Sequence, residues 1–197
     1  VEALRYFHLK LHSLNGSVSS DSSEQVLVLV LGDYLLENNF QLIQILIQAS
    51  SLLPNKIRFI VKPHPACPIP LNALRGIRAS ISEESLEDLL QNCDLAYSSN
   101  VTTAALDAYF RGVPVACMID PSKLNLSPML EIDDSVFVKT PQELAAKILQ
   151  AINSKSSSRR DPSNFFELDA SLPKWLDLIN KKLSSSDQLI NNADHPE

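Results

Sequence analysis

The stretch NCDLAYSSNVTTAALDAYFRGVP, from Asn92 to Pro114, carries the clearest structural signal in the chain. Its short apolar run LAY is typical of a buried strand, and a pair of serines ends it. Small and apolar residues follow at helical spacing, Gly112 suits the left-handed position after a helix, and Pro114 prevents the helix from continuing. The stretch therefore predicts a strand, a turn, a short helix and the start of another strand.

The turn within this stretch is rich in hydroxyl and amide groups. Ser98 and Ser99 follow the apolar run, and Asn100, Thr102 and Thr103 lie where the helix is expected to open. The first N–H groups of a helix have no partner inside the helix, and anions bind to them. The pattern predicts that these five residues form a cradle for a phosphate group.

Similar signals recur on both sides of this unit. The run from Val26 to Leu31 is apolar without a break, as in a parallel strand that is buried on both faces. Strands and helices alternate through most of the chain, so we predict an α/β fold, a Rossmann-like open parallel sheet of about six strands with helices on both faces. The predicted strands are 26–31, 57–61, 77–81, 95–97, 113–119 and 136–138, and the predicted helices outside the opening stretch are 38–53, 85–90, one from Pro141 and 172–183.

The two ends of the chain differ from its middle. Residues 1–24 form a short apolar connector and a Ser-rich linker, residues 25–183 form the predicted sheet domain, and residues 184–197 resemble a disordered tail. We expect the last helix to be amphipathic and to pack back on the sheet domain. Because the first residue is valine, we also expect the chain to be part of a longer protein.

The composition excludes several classes of partner and location. A net charge of −6 with no long basic run argues against nucleic acid as the partner. Cys67, Cys93 and Cys117 are far apart in apolar surroundings, which favours free thiols in a reducing compartment such as the cytoplasm. No signal peptide and no apolar run long enough for a membrane span are visible.

Ligands of open parallel sheets bind beyond the carboxyl ends of the strands. Gly32 and Asp33 follow the first predicted strand, and the segment Lys62-Pro-His-Pro follows the second. Each proline fixes its own φ and keeps the preceding residue extended, so His64 is presented in a defined direction. Lys62 and a protonated His64 can both bind a phosphate, although a simply solvated loop histidine remains the alternative.

Asp107 is the carboxylate of the predicted short helix. It is either an exposed surface residue or an acceptor for a sugar hydroxyl, as carboxylates are in many nucleotide sites. The sequence contains no G-x-G-x-x-G, no G-x-x-x-x-G-K-[ST] and no G-x-S-x-G, and it shows no cluster of metal ligands. We therefore expect neither a bound cofactor nor a metal.

The order of these motifs resembles the C-terminal half of the GT-B fold glycosyltransferases. The matching segments are the strand before Lys62-Pro-His-Pro, then LLQNCD, SSNVTT, Asp107-Ala and Gly112-Val-Pro, and the resemblance covers about residues 25–152. It is strongest to bacterial enzymes of surface polysaccharide synthesis, those that make capsules, O-antigens and, as CDP-glycerol glycerophosphotransferases, teichoic acids. These enzymes share a basic-x-His-Pro segment and a serine-rich turn before a helix that ends in Gly-x-Pro.

The resemblance implies a nucleotide-activated sugar as the donor, bound mainly by this half. The acceptor and the general base would belong to an N-terminal half outside this chain, so this half alone is expected to bind the donor without turning it over. The resemblance also implies catalysis without a metal, and it leaves a peripheral membrane association of the full-length protein open.

The resemblance assigns a role to each motif. Lys62 and His64 would act on the donor phosphates as the catalytic pair. The remaining residues would bind the donor, and Asp107 would contact the ribose, although the family usually has glutamate there. These donor-binding residues are Gly32, Asp33, Ser98, Ser99, Asn100, Thr102, Thr103 and Asp107.

Two other functions fit the same pattern. One is the corresponding half of a nucleotide-sugar 2-epimerase, which would need further carboxylates facing the sugar. The other is a degenerate α/β domain that only binds a protein partner. Failure to bind any nucleotide would favour the latter.

Overall fold

The computed structural model describes Tyr6, residues 25–154, Arg160, residues 165–167 and residues 169–191. The chain divides into two compact units, one of residues 17–160 and one of residues 1–16 together with 161–197. The predicted sheet domain, 25–183, spans parts of both units. Apart from Tyr6, the predicted connector and linker, 1–24, lie outside the described residues.

The larger unit is built on a parallel sheet, as predicted. Its six strands lie in the order β3-β2-β1-β4-β5-β6, and all neighbours are parallel. The predicted ends differ most at β5, which is shorter than expected, and at β4, which runs through Ser99. The strands are β1 Val26–Leu31, β2 Ile57–Lys62, β3 Ala79–Ile81, β4 Leu95–Ser99, β5 Val115–Met118 and β6 Phe137–Val138.

Five α-helices accompany the strands. The last helix continues to Asn191 instead of ending at Leu183, so residues 184–191 of the predicted disordered tail are helical, and residues 192–197 lie outside the described part. Short 3-10 turns occur at Leu71–Leu74 and Asp134–Val136. The helices are α1 Leu36–Ser50, α2 Leu86–Gln91, α3 Ala104–Phe110, α4 Pro141–Ser154 and α5 Pro173–Asn191.

Two helices begin at the capping residues that the sequence indicates. The Ser85 hydroxyl accepts the N–H of Asp88 at 3.1 Å at the start of α2. The Thr140 hydroxyl accepts the N–H of Glu143 at 3.2 Å at the start of α4. The Glu143 carboxylate accepts the N–H of Lys139 at 2.6 Å, one residue before the cap, so the reciprocal bond of a capping box is shifted by one position.

The end of α3 confirms the predicted glycine stop. Gly112 has φ +83°, its N–H donates to the Tyr109 carbonyl at 3.0 Å, and the N–H of Val113 donates to the Ala108 carbonyl at 3.0 Å. These two bonds form a Schellman motif, in which glycine avoids the cost of a left-handed backbone. Pro114 then leads into β5.

The core lies where α1 and α4 pack on the sheet. From β1 the chain crosses through α1 to β2, and from β4 it crosses the opposite way through α3 to β5, so α1 and α3 cover opposite faces. Val30, Leu46, Tyr97 and Ile148 are fully buried in one apolar cluster. This cluster contributes the hydrophobic stabilisation that fixes the strand ends relative to one another.

The smaller unit has a buried aromatic pair and an exposed helix. The rings of Tyr6 and Phe166 stack at 4.4 Å, and both residues are buried. On α5, Trp175 and Leu178 are about half exposed, so the burial expected for the apolar face of this helix is not seen. Within the described residues, no helix combines the length and apolarity that crossing a membrane requires.

Candidate ligand site at the carboxyl edge of the sheet

The strand order brings three polar loops to one place. β1 lies between β2 and β4, with Leu31 in register with Lys62 on one side and with Ser98 on the other. Chain connections leave β1 and β4 in opposite directions, and the crevice at such a point is where open α/β sheets bind ligands. The loops that begin at Gly32, Pro63 and Asn100 all border this crevice.

Gly32 allows two of these loops to touch. Its N–H donates to the Lys62 carbonyl at 2.9 Å. A Cβ atom at this position would lie 3.0 Å from the backbone N of His64 and 3.0 Å from Cα of Pro63. The close approach predicted for Gly32 is therefore present, and the neighbour that approaches is the histidine loop of this same chain.

Asp33 joins the loops after β1 and β4. It is 1% exposed, and its carboxylate accepts the N–H of Leu35 at 2.8 Å and the Asn38 side-chain amide at 3.0 Å. The Ser99 hydroxyl donates to the same carboxylate. The structure thus gives Asp33 internal partners, in place of the direct ligand contact expected from the sequence.

Asn39 extends this buried network to the histidine loop. Its side chain accepts the Asp33 N–H at 2.7 Å and donates to the Asp33 carbonyl at 2.8 Å and to the Cys67 thiol at 3.3 Å. Asn38 and Asn39 are both buried, and the sequence analysis did not single them out. The signal was their place in the first turn of a helix, where asparagine amides readily bond to nearby backbone.

His64 is held in a defined orientation. Its Nδ1 accepts the N–H of Ala66 at 3.1 Å, and its carbonyl accepts the N–H of Cys67 at 2.9 Å. Because Nδ1 is an acceptor here, the neutral ring carries its proton on Nε2. The half-buried ring therefore offers an Nε2–H donor, and this geometry fits the neutral imidazole better than the protonated one that the sequence suggested.

The exposed Tyr34 borders the same histidine. Its ring lies edge-on to that of His64, with centroids 6.2 Å apart and 63° between the ring planes. Tyr34 belongs to the loop after β1, and the sequence analysis noted it without assigning it to the site. The aromatic ring forms a wall beside the Nε2–H donor.

Lys62 turns toward the opposite side of β2. Its ammonium donates to the Glu84 carbonyl in the loop after β3. β3 and β1 flank β2 on different sides, so this contact leads away from the serine turn. Lys62 and His64 are thus neighbours in sequence with different surroundings.

The two serines of the predicted cradle are buried. Ser98 and Ser99 are both 0% exposed, and β4 extends through them. Ser99 bonds to Asp33, whereas the Ser98 hydroxyl lies 3.4 Å from the Cys117 thiol toward β5. Neither hydroxyl is presented to solvent in this structure.

The rest of the cradle lies at the surface. Asn100, Thr102 and Thr103 are partly exposed, and Thr103 makes no side-chain cap bond. The Thr102 hydroxyl accepts the Ala104 N–H at 3.3 Å. α3 has only seven residues and begins at Ala104, later than predicted, so its N-terminus contributes less positive potential than a long helix would.

Asp107 is buried, with 7% of its surface exposed. The interpretation as an exposed surface carboxylate is therefore wrong. Its position in the first turn of α3 is favourable for a negative charge.

The cysteines are free, as predicted, and the described residues contain no cluster of three or more histidine, cysteine, aspartate or glutamate side chains that could hold a metal. Cys67 and Cys117 are buried and Cys93 is partly buried. Burial raises the pKa of Cys117 to about 11 and that of Cys93 to about 12. Both groups are neutral thiols at physiological pH.

No protein-family model matches this chain, and no curated protein matches it. Among solved structures, the catalytic domain of cholesterol-alpha-glucosyltransferase from Helicobacter pylori is similar, with 24% identity, a TM-score of 0.49, and coverage of 66% of this chain and 88% of that one. A protein assigned as UDP-N-acetylglucosamine 2-epimerase from Listeria monocytogenes shares 13% identity with a TM-score of 0.47. The glycotransferase of kitacinnamycin shares 15% identity with a TM-score of 0.46.

The last two alignments cover 73% and 72% of this chain, but only 40% and 38% of the other chains. These similarities are too low to decide a family or a reaction. The fold assignment rests on the strand order and the parallel pairing of the sheet itself.

Proposed function

We propose that this chain is the donor-binding half of a GT-B fold glycosyltransferase and that the crevice between β1 and β4 binds the phosphates of a nucleotide-activated sugar. The observation that carries the proposal is the convergence of the three loops on the point where the strand order reverses. The GT-B-like motifs lie in two of these loops. Sequence resemblance and topology thus favour the same edge of the sheet.

The exposed polar groups supply donors for phosphate oxygens. The Nε2–H of His64 and the side chains of Asn100, Thr102 and Thr103 are our proposed contacts. The Lys62 ammonium has three hydrogens, and its bond to Glu84 leaves others for a phosphate. Donors fixed in this way would stabilise the negative charge that develops on the departing nucleotide phosphate.

The buried residues have a supporting role in this proposal. Gly32, Asp33 and Ser99 connect the loops, and Ser98 anchors β4 to β5. At 7% exposure, Asp107 fits the ordering of α3 better than direct contact with a ribose. Gly32 and the acidic network thus position the ligand groups without touching the ligand.

The wider setting is also part of the proposal. A role in bacterial surface carbohydrate synthesis on the cytoplasmic side, and an N-terminal half that binds the acceptor, follow from the resemblance of the motifs. The reaction would use no metal, and the chain alone would bind the donor without transferring the sugar.

Isothermal titration calorimetry with CMP, CDP, UDP and GDP tests this proposal. We expect one nucleotide to bind and His64→Ala to weaken its binding about tenfold, because a hydrogen bond to a charged group contributes about 1.5–3 kcal/mol. Gln48→Ala, an exposed change on α1 outside the crevice, is the matched control and should leave the affinity unchanged.

Two results would contradict the proposal. Absence of binding of all four nucleotides at millimolar concentration would favour a domain that only binds a protein partner. Equal affinity in the wild-type protein and in His64→Ala would remove the histidine loop from the site.

A further inference from the structure

A second cavity opens at the same edge of the sheet, beyond β5. It has a volume of about 300 Å³ and lies between the first turns of α1 and the segment that follows β5. This volume is at the lower end of the range of small-molecule sites, about 300–1,000 Å³. Phe40, Met118 and Pro121 contribute to an apolar wall, and Gln41, Gln44, Asp120 and Lys139 supply polar groups.

The polar rim of this cavity is already organised. The Asp120 carboxylate accepts the N–H of Ser122 at 2.9 Å, the Ser122 hydroxyl at 2.7 Å and the Gln41 amide at 3.1 Å. The bonds from Ser122 are the main reason that the pKa of Asp120 is lowered to about 2. Asp120 is therefore a fixed carboxylate at neutral pH, and Gln41 is held against it.

A nearby ion pair ties the two sides of the cavity together. The Lys123 ammonium lies 2.6 Å from the Glu37 carboxylate in the first turn of α1 and 3.7 Å from that of Asp120. The loop after β5 is thus attached to the start of α1, and the apolar wall is accessible because Phe40 is 66% exposed. An exposed aromatic ring beside preorganised polar groups is a mixed surface.

This mixed surface selects among ligand classes. The Asp120 carboxylate disfavours a phosphate, and a purely apolar ligand would leave the amides and the carboxylate without partners. A pyranose ring has an apolar C–H face for Phe40 and hydroxyl groups that can both donate to Asp120 and accept from Gln44 or Lys139. Its chemistry matches both parts of the cavity.

The distance to the proposed phosphate site is compatible with one extended ligand. β2 and β5 are three strand spacings apart in the sheet, or about 14 Å at about 4.8 Å per strand. His64 follows β2, and the cavity lies at the end of β5. A sugar ring in the cavity would be separated from a phosphate near His64 by about the length of a nucleotide sugar's linking groups.

We propose that the cavity lined by Phe40, Gln44 and Asp120 is a binding site for a single pyranose ring. The site rests on the proposed function, and the ring is either the sugar of the donor or a sugar of the acceptor. Both sources share the chemistry that the cavity recognises.

Amide and side-chain chemical-shift titration of the full chain tests this site. The probes are the methyl pyranosides of glucose, galactose and N-acetylglucosamine, the nucleotides CMP, CDP, UDP and GDP, and UDP-glucose, UDP-galactose and UDP-N-acetylglucosamine. We expect a sugar-bearing probe to shift the Gln41 and Gln44 amides, whereas free nucleotides leave them unchanged. Phe40→Ala and Gln44→Ala should weaken this binding about fivefold, and Gln48→Ala, one turn further along α1, should not.

The outcomes separate the two sources of the sugar from the fate of the proposed function. Shifts in the cavity with a nucleotide sugar alone identify the donor sugar, and shifts with a methyl pyranoside identify an acceptor sugar. Pyranoside binding without any nucleotide binding would support this site while the proposed donor function fails. Shifts of Gln44 with free nucleotides, or no shift with any sugar-bearing probe, would overturn the pyranose site.

Discussion

The buried bond between Asp33 and Ser99 should stabilise the crevice by an amount that can be measured. Asp33→Asn keeps the shape of the side chain but replaces one carboxylate oxygen with an NH2 group. That group would face the Asn38 amide, which is a donor 3.0 Å away, so a charge-assisted bond is lost in the interior. Such bonds contribute about 1.5–3 kcal/mol, and we expect the free energy of unfolding to fall by about 2–3 kcal/mol.

A double-mutant cycle isolates the contact itself. Ser99→Ala should lower the free energy of unfolding by about 1–2 kcal/mol alone, and by about 1 kcal/mol less in the Asp33→Asn background, because the hydroxyl has then lost its carboxylate acceptor. Urea unfolding followed by far-UV circular dichroism is the suitable assay, since Trp175, the only tryptophan, lies in the smaller unit. Ser98→Ala is the matched control, because this equally buried serine contacts Cys117 instead.

Energies of Asp33→Asn and Ser99→Ala that add to within about 0.5 kcal/mol would refute this reasoning. So would coupling of Asp33→Asn to Ser98→Ala of the same size as to Ser99→Ala. Either result would mean that the three loops are held together by packing and not by the acidic network.

Three further changes test separate parts of the structure. Gly32→Ala places a methyl group against the His64 loop backbone and should lower the free energy of unfolding by about 1–3 kcal/mol, with amide shifts at His64 in NMR spectra. Thr140→Ala removes the cap of α4 and should lower it by about 1 kcal/mol in urea titrations. The pKa values of Cys93 and Cys117 are raised in the folded state, so the unfolded chain loses these thiol protons first and stability should fall from about pH 9 upward, by at most about 1.4 kcal/mol per pH unit for each thiol in urea titrations. A Gly32→Ala protein as stable as the wild type, an unaffected Thr140→Ala protein, or stability that stays level up to pH 11 would each contradict the respective argument.

Local signals were sufficient to predict most of the fold. The apolar run 26–31 is β1 with the same ends, because a strand buried on both faces needs no polar position. Ser85, Thr140 and Gly112 mark helix ends through bonds to neighbouring residues, which the sequence alone specifies. The strand order could not be predicted in this way, because it depends on contacts between residues far apart in the chain.

The site was predicted in position but not in detail. The three polar loops do meet, yet Asp33 looked like a ligand only because its partners Asn38 and Ser99 are brought to it by the tertiary fold. The predicted strand ended at Tyr97, whereas β4 continues, and alternation then points Ser98 and Ser99 to opposite faces. The sequence correctly indicated that His64 is rigidly presented, but its Nδ1 bond to Ala66 depends on the local turn.

The most direct test of the central claim is an amide chemical-shift titration of the chain with CMP, CDP, UDP and GDP. If the crevice between β1 and β4 is the donor site, one nucleotide should shift residues 32–34, 63–66 and 99–103 together, with little change elsewhere. Shifts confined to one of these loops, shifts far from all three, or none at millimolar concentration would contradict the account.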